Sequence, residues 1–182
     1  MAVLPSRAAV RSLDTALAPV RELSGAPHWV PPERWHITLA FLGEVDADLV
    51  DRLATTIGTS LTSVGGTPTI CLVGAGAFPD RGAPRVLWAG VDGDTQRLSS
   101  LARRVRAAAR RARVAVPRAP FRPHLTVGRW RDGDPADRSL AERLAEHRGP
   151  SFAVRRVALI RSHLGPRPAY EVLCSFAVRA GD

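Results

Sequence analysis

The chain contains no lysine: all 26 of its basic residues are arginines, and 17 acidic residues leave a formal net charge of +9. A phosphate-binding loop of the G-x-x-x-x-G-K-[ST] type requires a lysine, and Schiff-base catalysis requires a lysine amine. The absence of lysine therefore excludes both kinds of site and any covalent lysine–nucleotide intermediate. The abundance of Ala, Arg, Gly, Pro and Val indicates a codon bias as the cause.

Long hydrophobic runs and cysteines are also scarce. The longest apolar stretch, Thr69–Phe78, has about half the length of a membrane-spanning helix, and the first residues lack the apolar run of a secretory signal. Cys71 and Cys174 lie in apolar, strand-like segments without metal-ligand spacing. We therefore expect buried thiols in a reducing compartment, a cytoplasmic protein and no membrane partner.

The charge is distributed unevenly along the chain. Residues 1–91 contain seven arginines and eight acidic residues, whereas residues 92–182 contain nineteen arginines and nine acidic residues. A basic half favours an anionic partner such as phosphate or nucleic acid. Apolar residues at helical spacing nevertheless predict one amphipathic helix here, with its arginines forming a solvated face. The apolar stripe is Leu98, Leu101, Val105 and Ala108, and the arginines are Arg97, Arg103, Arg104, Arg106, Arg110, Arg111 and Arg113.

The remaining pattern predicts one domain over residues 1–182 that mixes helices and strands. Predicted helices cover Arg7–Leu23, Asp46–Leu61, Thr95–Arg113 and Asp134–His147. Predicted strands cover Met1–Leu4, His28–Val30, Trp35–Leu42, Pro68–Phe78, Arg85–Val91, His124–Trp130, Ser151–Ser162 and Pro168–Val178. Many strand pairs are linked too tightly for parallel crossovers, which favours an α+β fold with antiparallel sheets.

One short element occurs twice, as His36-Ile37-Thr38-Leu39 and as His124-Leu125-Thr126-Val127. Each copy lies in a predicted strand and follows a loop that contains proline. Because side chains alternate between the faces of a strand, the histidine and the threonine of each copy share one face. The apolar residues between them face the core. The sequence therefore predicts an imidazole and a hydroxyl side by side, twice.

Two groups that titrate near neutral pH can supply a general acid and a general base. Threonine hydroxyls can donate hydrogen bonds to anionic oxygens, and a nearby arginine can hold a phosphate. Together these groups indicate phosphodiester chemistry without a metal ion. The other histidines, His28, His147 and His163, lack metal-ligand spacing, so we expect neither a metal site nor a cofactor.

Several stretches in addition to the two motifs resemble the two-histidine phosphoesterase superfamily, and specifically its RNA 2′,3′-cyclic phosphodiesterase (2′-5′ RNA ligase-like) branch. The resemblance runs through almost the whole chain. It includes residues 29–33, 36–39 with 41–44, 76–79, 84–88, 121–129, and Ser162, Leu164 and 170–173. Family members usually carry a few residues, often including Arg and Phe, before the position of Ala2, so we expect either a short first strand or a misassigned start codon.

The resemblance implies a bilobal α+β fold, in which two pseudo-symmetric lobes with antiparallel sheets surround a central cleft. It also implies hydrolysis of RNA 2′,3′-cyclic phosphate ends to 2′-phosphates, with His36 protonating the departing 3′ oxygen and His124 activating water. Thr38 and Thr126 would bind the phosphate oxygens. Arg129 matches a family arginine expected near the phosphate. Strict alternation places Arg129 opposite to His124, so it reaches the cleft only where the strand twists or bulges at Gly128.

Other activities remain open at this stage. The same cleft is compatible with a non-catalytic module that binds RNA ends. It is also compatible with action on 2′-5′ linked RNA, on cyclic-phosphate nucleotide metabolites, or with reverse 2′-5′ ligation. Four aromatic residues are candidates to stack on a nucleobase, namely Phe41, Phe78, Trp88 and Tyr170, and Arg122 is either a loop charge or a substrate ligand. We expect a monomer that binds RNA with a cyclic phosphate end or a cyclic nucleotide.

Overall fold

The computed structural model describes residues 1–62, 66–163 and 169–178. Its α-helices are α1 (Arg7–Arg21), α2 (Ala47–Ser60) and α3 (Thr95–Arg111). The strands are β1 (Ala2–Val3), β2 (His28–Trp29), β3 (Ile37–Thr38), β4 (Thr69–Phe78), β5 (Val86–Gly93), β6 (His124–Arg129), β7 (Phe152–Ala153), β8 (Arg156–His163) and β9 (Ala169–Ala177). Two 3₁₀ helices cover Pro32–Arg34 and Arg138–Leu144.

The strands form one sheet in the order β7-β4-β5-β6-β3-β1-β8-β9, and β2 pairs with β6 outside this path. All strand pairs among the described residues are antiparallel, which confirms the predicted α+β class. The strands that carry the two repeated motifs, β3 and β6, are neighbours in the middle of this order. The two lobes of the fold are therefore the two four-strand halves of one sheet, and they meet where the motifs pair.

The core lies on the face of the sheet that the apolar motif residues occupy. Ile37, Leu39, Leu125 and Val127 each have 0% relative exposure. They belong to the same buried cluster as residues from α1, α2 and α3. The opposite face of β3 and β6, which carries the histidines and threonines, is thus left for a ligand.

Three predicted elements differ clearly from those in the structure. The predicted strand Ser151–Ser162 is two strands, β7 and β8, which lie in opposite halves of the sheet order. The predicted helix Asp134–His147 is wrong as an α-helix, because only the 3₁₀ helix Arg138–Leu144 forms. The Asp137 carboxylate caps this helix by accepting a hydrogen bond from the Ser139 N–H. The predicted strand Trp35–Leu42 is reduced to Ile37–Thr38, because β1 is only two residues long and β6 pairs with β2 beyond its contact with β3. The N–H groups of Leu39 and Ala40 both donate to the Met1 carbonyl and end the ladder there.

The short first strand is confirmed, and most other elements match their predictions to within about two residues at each end. Pro168, in the last predicted strand, and Leu164, in one family-like stretch, lie outside the described residues. Cys71 is buried, but Cys174 is only half-buried because β9 is an edge strand, and both thiols are free. In the described ranges, no helix is both long and apolar enough to cross a membrane.

Candidate active site

The pairing of β3 with β6 brings the two motifs together. Ile37 lies opposite Leu125 in this antiparallel pair. The same register places His36 across from Thr126 and Thr38 across from His124. Because directly opposed residues share a face of the sheet, all four predicted site residues occupy one surface. The arrangement is close to two-fold symmetric, with each histidine beside the threonine of the other motif.

Each imidazole is oriented by the backbone two residues before it. Nδ1 of His36 lies 2.9 Å from the Arg34 carbonyl oxygen, and Nδ1 of His124 lies 2.7 Å from the Arg122 carbonyl oxygen. A carbonyl oxygen can only accept, so Nδ1 is the donor in both contacts. The neutral imidazoles therefore carry their proton on Nδ1 and leave Nε2 free to accept a proton. Both rings are prepared for acid–base chemistry at the same atom.

An aromatic ring and a guanidinium complete the surroundings of each histidine. The Tyr170 ring lies edge-on to His36 at 5.3 Å between centroids, and the Arg34 guanidinium lies 4.7 Å from the Tyr170 centroid. In the other half, the rings of Phe78 and His124 are 5.0 Å apart and edge-on. The guanidinium of Arg122 lies 4.4 Å from the centroid of Phe78. The arginine whose carbonyl orients a histidine thus also covers the aromatic ring beside that histidine.

Both histidine pKa values lie below their ordinary value. Burial is the main cause for His36, and the charges of the N-terminal ammonium, Arg129 and His124 lower its pKa further, against the hydrogen bond to the Arg34 carbonyl. Burial also leads for His124, where the charges of Arg122 and Arg129 act in the same direction and the Arg122 carbonyl opposes them. An anion between the rings would favour the protonated form of either one. The site is therefore adapted to receive negative charge.

Arg129 is brought to the histidine face by an irregularity in β6. Trp88 pairs with Thr126 and Leu87 pairs with Gly128, so β6 contains one extra residue at Val127. This bulge restores Arg129, which pairs with Val86, to the same face as Thr126. Glycine is required at position 128, because a Cβ atom here would lie 2.4 Å from Cγ of Pro27. The strand therefore bulges as the sequence analysis required, and Arg129 lies on the face of β6 that carries His124 and Thr126.

Arg122 is an ion-pair partner in the structure. Its two terminal nitrogens lie 3.1 and 3.2 Å from the Asp80 carboxylate oxygens. That hydrogen bond is the main reason why the pKa of Asp80 is lowered. Arg122 is therefore held in place by Asp80, and its charge still lowers the pKa of His124.

Two arginines near the site were not identified from the sequence. Arg34 precedes His36 by two residues, as Arg122 precedes His124, so the full repeat is Arg-x-His-x-Thr. The signal for Arg34 was therefore present in the sequence. The prediction of a solvated helix face is wrong for Arg106, which donates to the carbonyls of Leu39 and Ala119, whereas the other arginines of that face are exposed.

Two of the three remaining histidines pair with carboxylates. His28 lies 3.3 Å from the Asp134 carboxylate, and His163 lies 3.0 Å from the Glu171 carboxylate. Burial lowers the pKa of His147. In the described parts of the chain, no three side chains of His, Cys, Asp or Glu form a group that could hold a metal ion.

Most of the chain is similar in sequence to known proteins. The sequence model of the 2′-5′ RNA ligase superfamily matches residues 6–166. The chain is 35% identical over 164 residues to the RNA 2′,3′-cyclic phosphodiesterase of Archaeoglobus fulgidus, covering 86% of this chain and 88% of that protein. It is 33% identical over 152 residues to the protein of the same name from Geobacillus stearothermophilus, covering 81% of this chain. The matched region spans only about half of that relative, 46%.

Solved structures of similar proteins share the fold. The protein TT0787 of Thermus thermophilus superposes with a TM-score of 0.75 at 31% identity, over 100% of this chain and 97% of that one. E. coli LigT complexed with 3′-AMP superposes with a TM-score of 0.74 at 26% identity, over 97% and 95% of the two chains. The antiparallel α+β architecture is thus common to proteins of this kind.

Proposed function

Because this chain belongs to the 2′-5′ RNA ligase superfamily, we propose that it hydrolyses the 2′,3′-cyclic phosphate at an RNA end to a 2′-phosphomonoester, without a metal ion. The observation that carries the proposal is the β3–β6 register, which sets two imidazoles and two hydroxyls on one face. Three relatives that align over most of this chain bear the name RNA 2′,3′-cyclic phosphodiesterase.

The reaction needs two proton transfers on opposite sides of the phosphorus. Nε2 of His124 takes a proton from water while the water oxygen forms a bond to phosphorus. The bond from phosphorus to the 3′ oxygen breaks, and Nε2 of His36 gives its proton to that oxygen. The products are a 2′-phosphate and a 3′-hydroxyl. Exchange of protons with solvent then returns both histidines to their starting states.

The starting state requires a protonated His36 and a neutral His124. In the free protein, burial and the neighbouring cations favour the neutral form of both rings. The bound phosphate carries a negative charge, which favours protonation of one ring. Substrate binding would therefore create the acid, while the other ring stays available as the base.

The remaining groups stabilise the charge that builds up on the phosphate oxygens. The hydroxyls of Thr38 and Thr126 lie on the same face as the histidines and can donate hydrogen bonds to the two non-bridging oxygens. Arg129, on that face beyond the bulge, adds a positive charge. These three residues bind the phosphate while the histidines transfer the protons.

The test is a hydrolysis assay with a short RNA that ends in a 2′,3′-cyclic phosphate, with EDTA present throughout. We expect turnover to continue and mass spectrometry to identify a 2′-phosphate product. Salt-sensitive binding without turnover would instead indicate a module that binds RNA ends. Loss of turnover on chelation would contradict the metal-free mechanism. Cleavage only of 2′-5′ linked RNA or of nucleotide metabolites would retain the site but change its substrate.

A further inference from the structure

The guanidinium of Arg34 lies beside the His36 half of the site and keeps its donors unused. It lies 4.7 Å from the centroid of the Tyr170 ring, and that ring stands edge-on to His36 at 5.3 Å. The Nε atom of Arg34 has no hydrogen-bond partner. Among the described residues, no carboxylate forms an ion pair with Arg34. This half-buried side chain is therefore able to bind an anion that reaches the site from outside.

The other half of the site shows which kind of ligand a guanidinium in this position takes. Arg122 occupies the same place in the Arg-x-His-x-Thr repeat, and it also covers an aromatic ring, that of Phe78, at 4.4 Å. Its two terminal nitrogens lie 3.1 and 3.2 Å from the two oxygens of the Asp80 carboxylate. A phosphodiester presents two non-bridging oxygens to which a guanidinium binds with the same fork geometry. A phosphate can thus take, in the Arg34 half, the place that Asp80 takes in the other.

The RNA strand leaves the reacting ribose on the side of the His36 half. In the proposed reaction His36 gives its proton to the 3′ oxygen, so the 3′ edge of the ribose faces this half. C4′ is bonded to C3′ and carries the 5′ carbon, so the chain continues next to the 3′ oxygen. In an RNA end, the 5′ oxygen carries the phosphodiester to the preceding nucleotide. This phosphodiester is therefore the anion of the substrate that comes closest to Arg34.

We propose that Arg34 binds the phosphodiester that joins the last two nucleotides of the RNA. The inference rests on the proposed function, because His36 and His124 would hold the cyclic phosphate. A mononucleoside 2′,3′-cyclic phosphate lacks this phosphodiester, whereas every RNA end of two or more nucleotides has it. Arg34 thus makes the enzyme select RNA ends over cyclic nucleotides. It does so without selecting a sequence, since contacts to phosphate carry no sequence information.

The test compares two dinucleotides that differ only in the charge of the internucleotide link. Both are ApA with a 2′,3′-cyclic phosphate end, and the link is a phosphodiester in one and an uncharged methylphosphonate in the other. We expect the wild-type kcat/KM to be about tenfold higher for the phosphodiester, as for one charged hydrogen-bonded contact. The difference should lie mainly in KM, because the contact is the same before and during the reaction. Arg34→Gln should remove the preference, and Arg34→Lys should retain part of it, since lysine supplies the charge without the fork.

The matched control is Arg122→Gln, which removes the equivalent guanidinium from the other half. Its ratio of the two kcat/KM values should equal that of the wild type, whatever the change in each rate. A merely structural role of Arg34 would lower both rates equally and leave the ratio unchanged. The proposal is overturned if the wild type shows no preference, if Arg34→Gln keeps it, or if Arg122→Gln loses it to the same extent.

Binding measurements separate failure of this contact from failure of the proposed function. Calorimetry uses the two ApA dinucleotides with a 2′-monophosphate end, whose binding needs no turnover. The wild type should bind the phosphodiester about tenfold more tightly than the methylphosphonate, and Arg34→Gln should bind both equally. Arg34→Gln should also make the slope of log K against log salt shallower by about 0.7, the contribution of one phosphate contact in a single strand. If the wild type hydrolyses neither dinucleotide, the proposed function fails, and the binding ratio still decides whether Arg34 holds the phosphodiester.

Discussion

The two Arg-x-His-x-Thr halves orient their histidines identically but differ in what lies around them. In both, a carbonyl two residues earlier fixes Nδ1, and an aromatic ring covered by an arginine supports the imidazole. Only in the His124 half is that arginine paired with a carboxylate, Asp80, among the described residues. The two halves therefore orient Nδ1 in the same way and differ in whether the arginine beside the aromatic ring is paired with a carboxylate.

Substitution of either histidine should have the largest effect, because both halves supply a histidine to the proton transfers. Replacing either His36 or His124 by alanine removes one of two proton transfers, so each change should lower kcat/KM for a cyclic-phosphate nucleotide at least 100-fold. Both side chains are only half-buried, so the folded state should persist. The measurement is steady-state kinetics with circular dichroism as a control. Near-wild-type turnover in either variant would show that the halves do not share the chemistry.

The threonines provide the next comparison. Thr38→Val and Thr126→Val keep the shape of the side chain but remove one donor to the phosphate. Each should lower kcat about 100-fold, the effect of losing one donor to a developing charge. Because the two residues are related by the symmetry of the β3–β6 pair, the two losses should be similar. A large loss in only one variant would mean that the phosphate is bound by one half alone.

A glycine substitution should disturb one half selectively. A Cβ atom on Gly76 would lie 2.2 Å from Cζ2 of Trp88, and Trp88 contacts Phe78 and His124. We expect Gly76→Ala to destabilise the protein by about 1–3 kcal/mol and to lower kcat about tenfold. Urea denaturation measures the first effect, and steady-state kinetics measures the second.

The matched control for this substitution is a glycine within α2. A Cβ atom on Gly58 would make an ordinary contact, 3.5 Å from Phe176. Gly58→Ala should therefore stabilise the protein by about 0.5–1 kcal/mol, the gain of alanine over glycine in a helix. Equal effects of the two alanines would contradict the close packing of Trp88 on Gly76.

The smallest expected effects are shifts in pKa that distinguish the two histidines. Arg122 lowers the pKa of His124, whereas Arg129 lowers the pKa of both histidines. Arg122→Gln should therefore raise the pKa of His124 alone, and Arg129→Gln should raise both. The measurement is NMR titration of the imidazole protons in the free protein. The acidic limb of the pH–rate profile, where His124 becomes protonated, should move to higher pH in both variants.

The repeated motif made the central part of the site predictable from sequence. Alternation along a strand is enough to place His36 and Thr38 on one face, and His124 and Thr126 likewise. It does not reveal that the two strands pair directly, because register depends on contacts between distant parts of the chain. Arg129 required the bulge at Val127, which the sequence allows through Gly128 but does not specify.

Longer-range contacts explain what the sequence did not predict. In sequence, Arg106 is indistinguishable from the other arginines of α3. Its hydrogen-bond acceptors are the carbonyls of Ala119 and of Leu39, just after β3, and only the fold brings them near. The apolar spacing of Leu140 and Leu144 is compatible with an α-helix, yet this segment forms a 3₁₀ helix. Phe41 follows a core strand in sequence, and only the fold shows that its ring is exposed.

The division of labour between the histidines can be tested most directly with bis(4-nitrophenyl) phosphate, whose leaving group needs no proton. If His36 is the acid, His36→Ala should hydrolyse this diester at close to the wild-type rate, while His124→Ala should remain at least 100-fold slower. Equal losses in the two variants, or rescue of His124→Ala alone, would contradict the proposed roles.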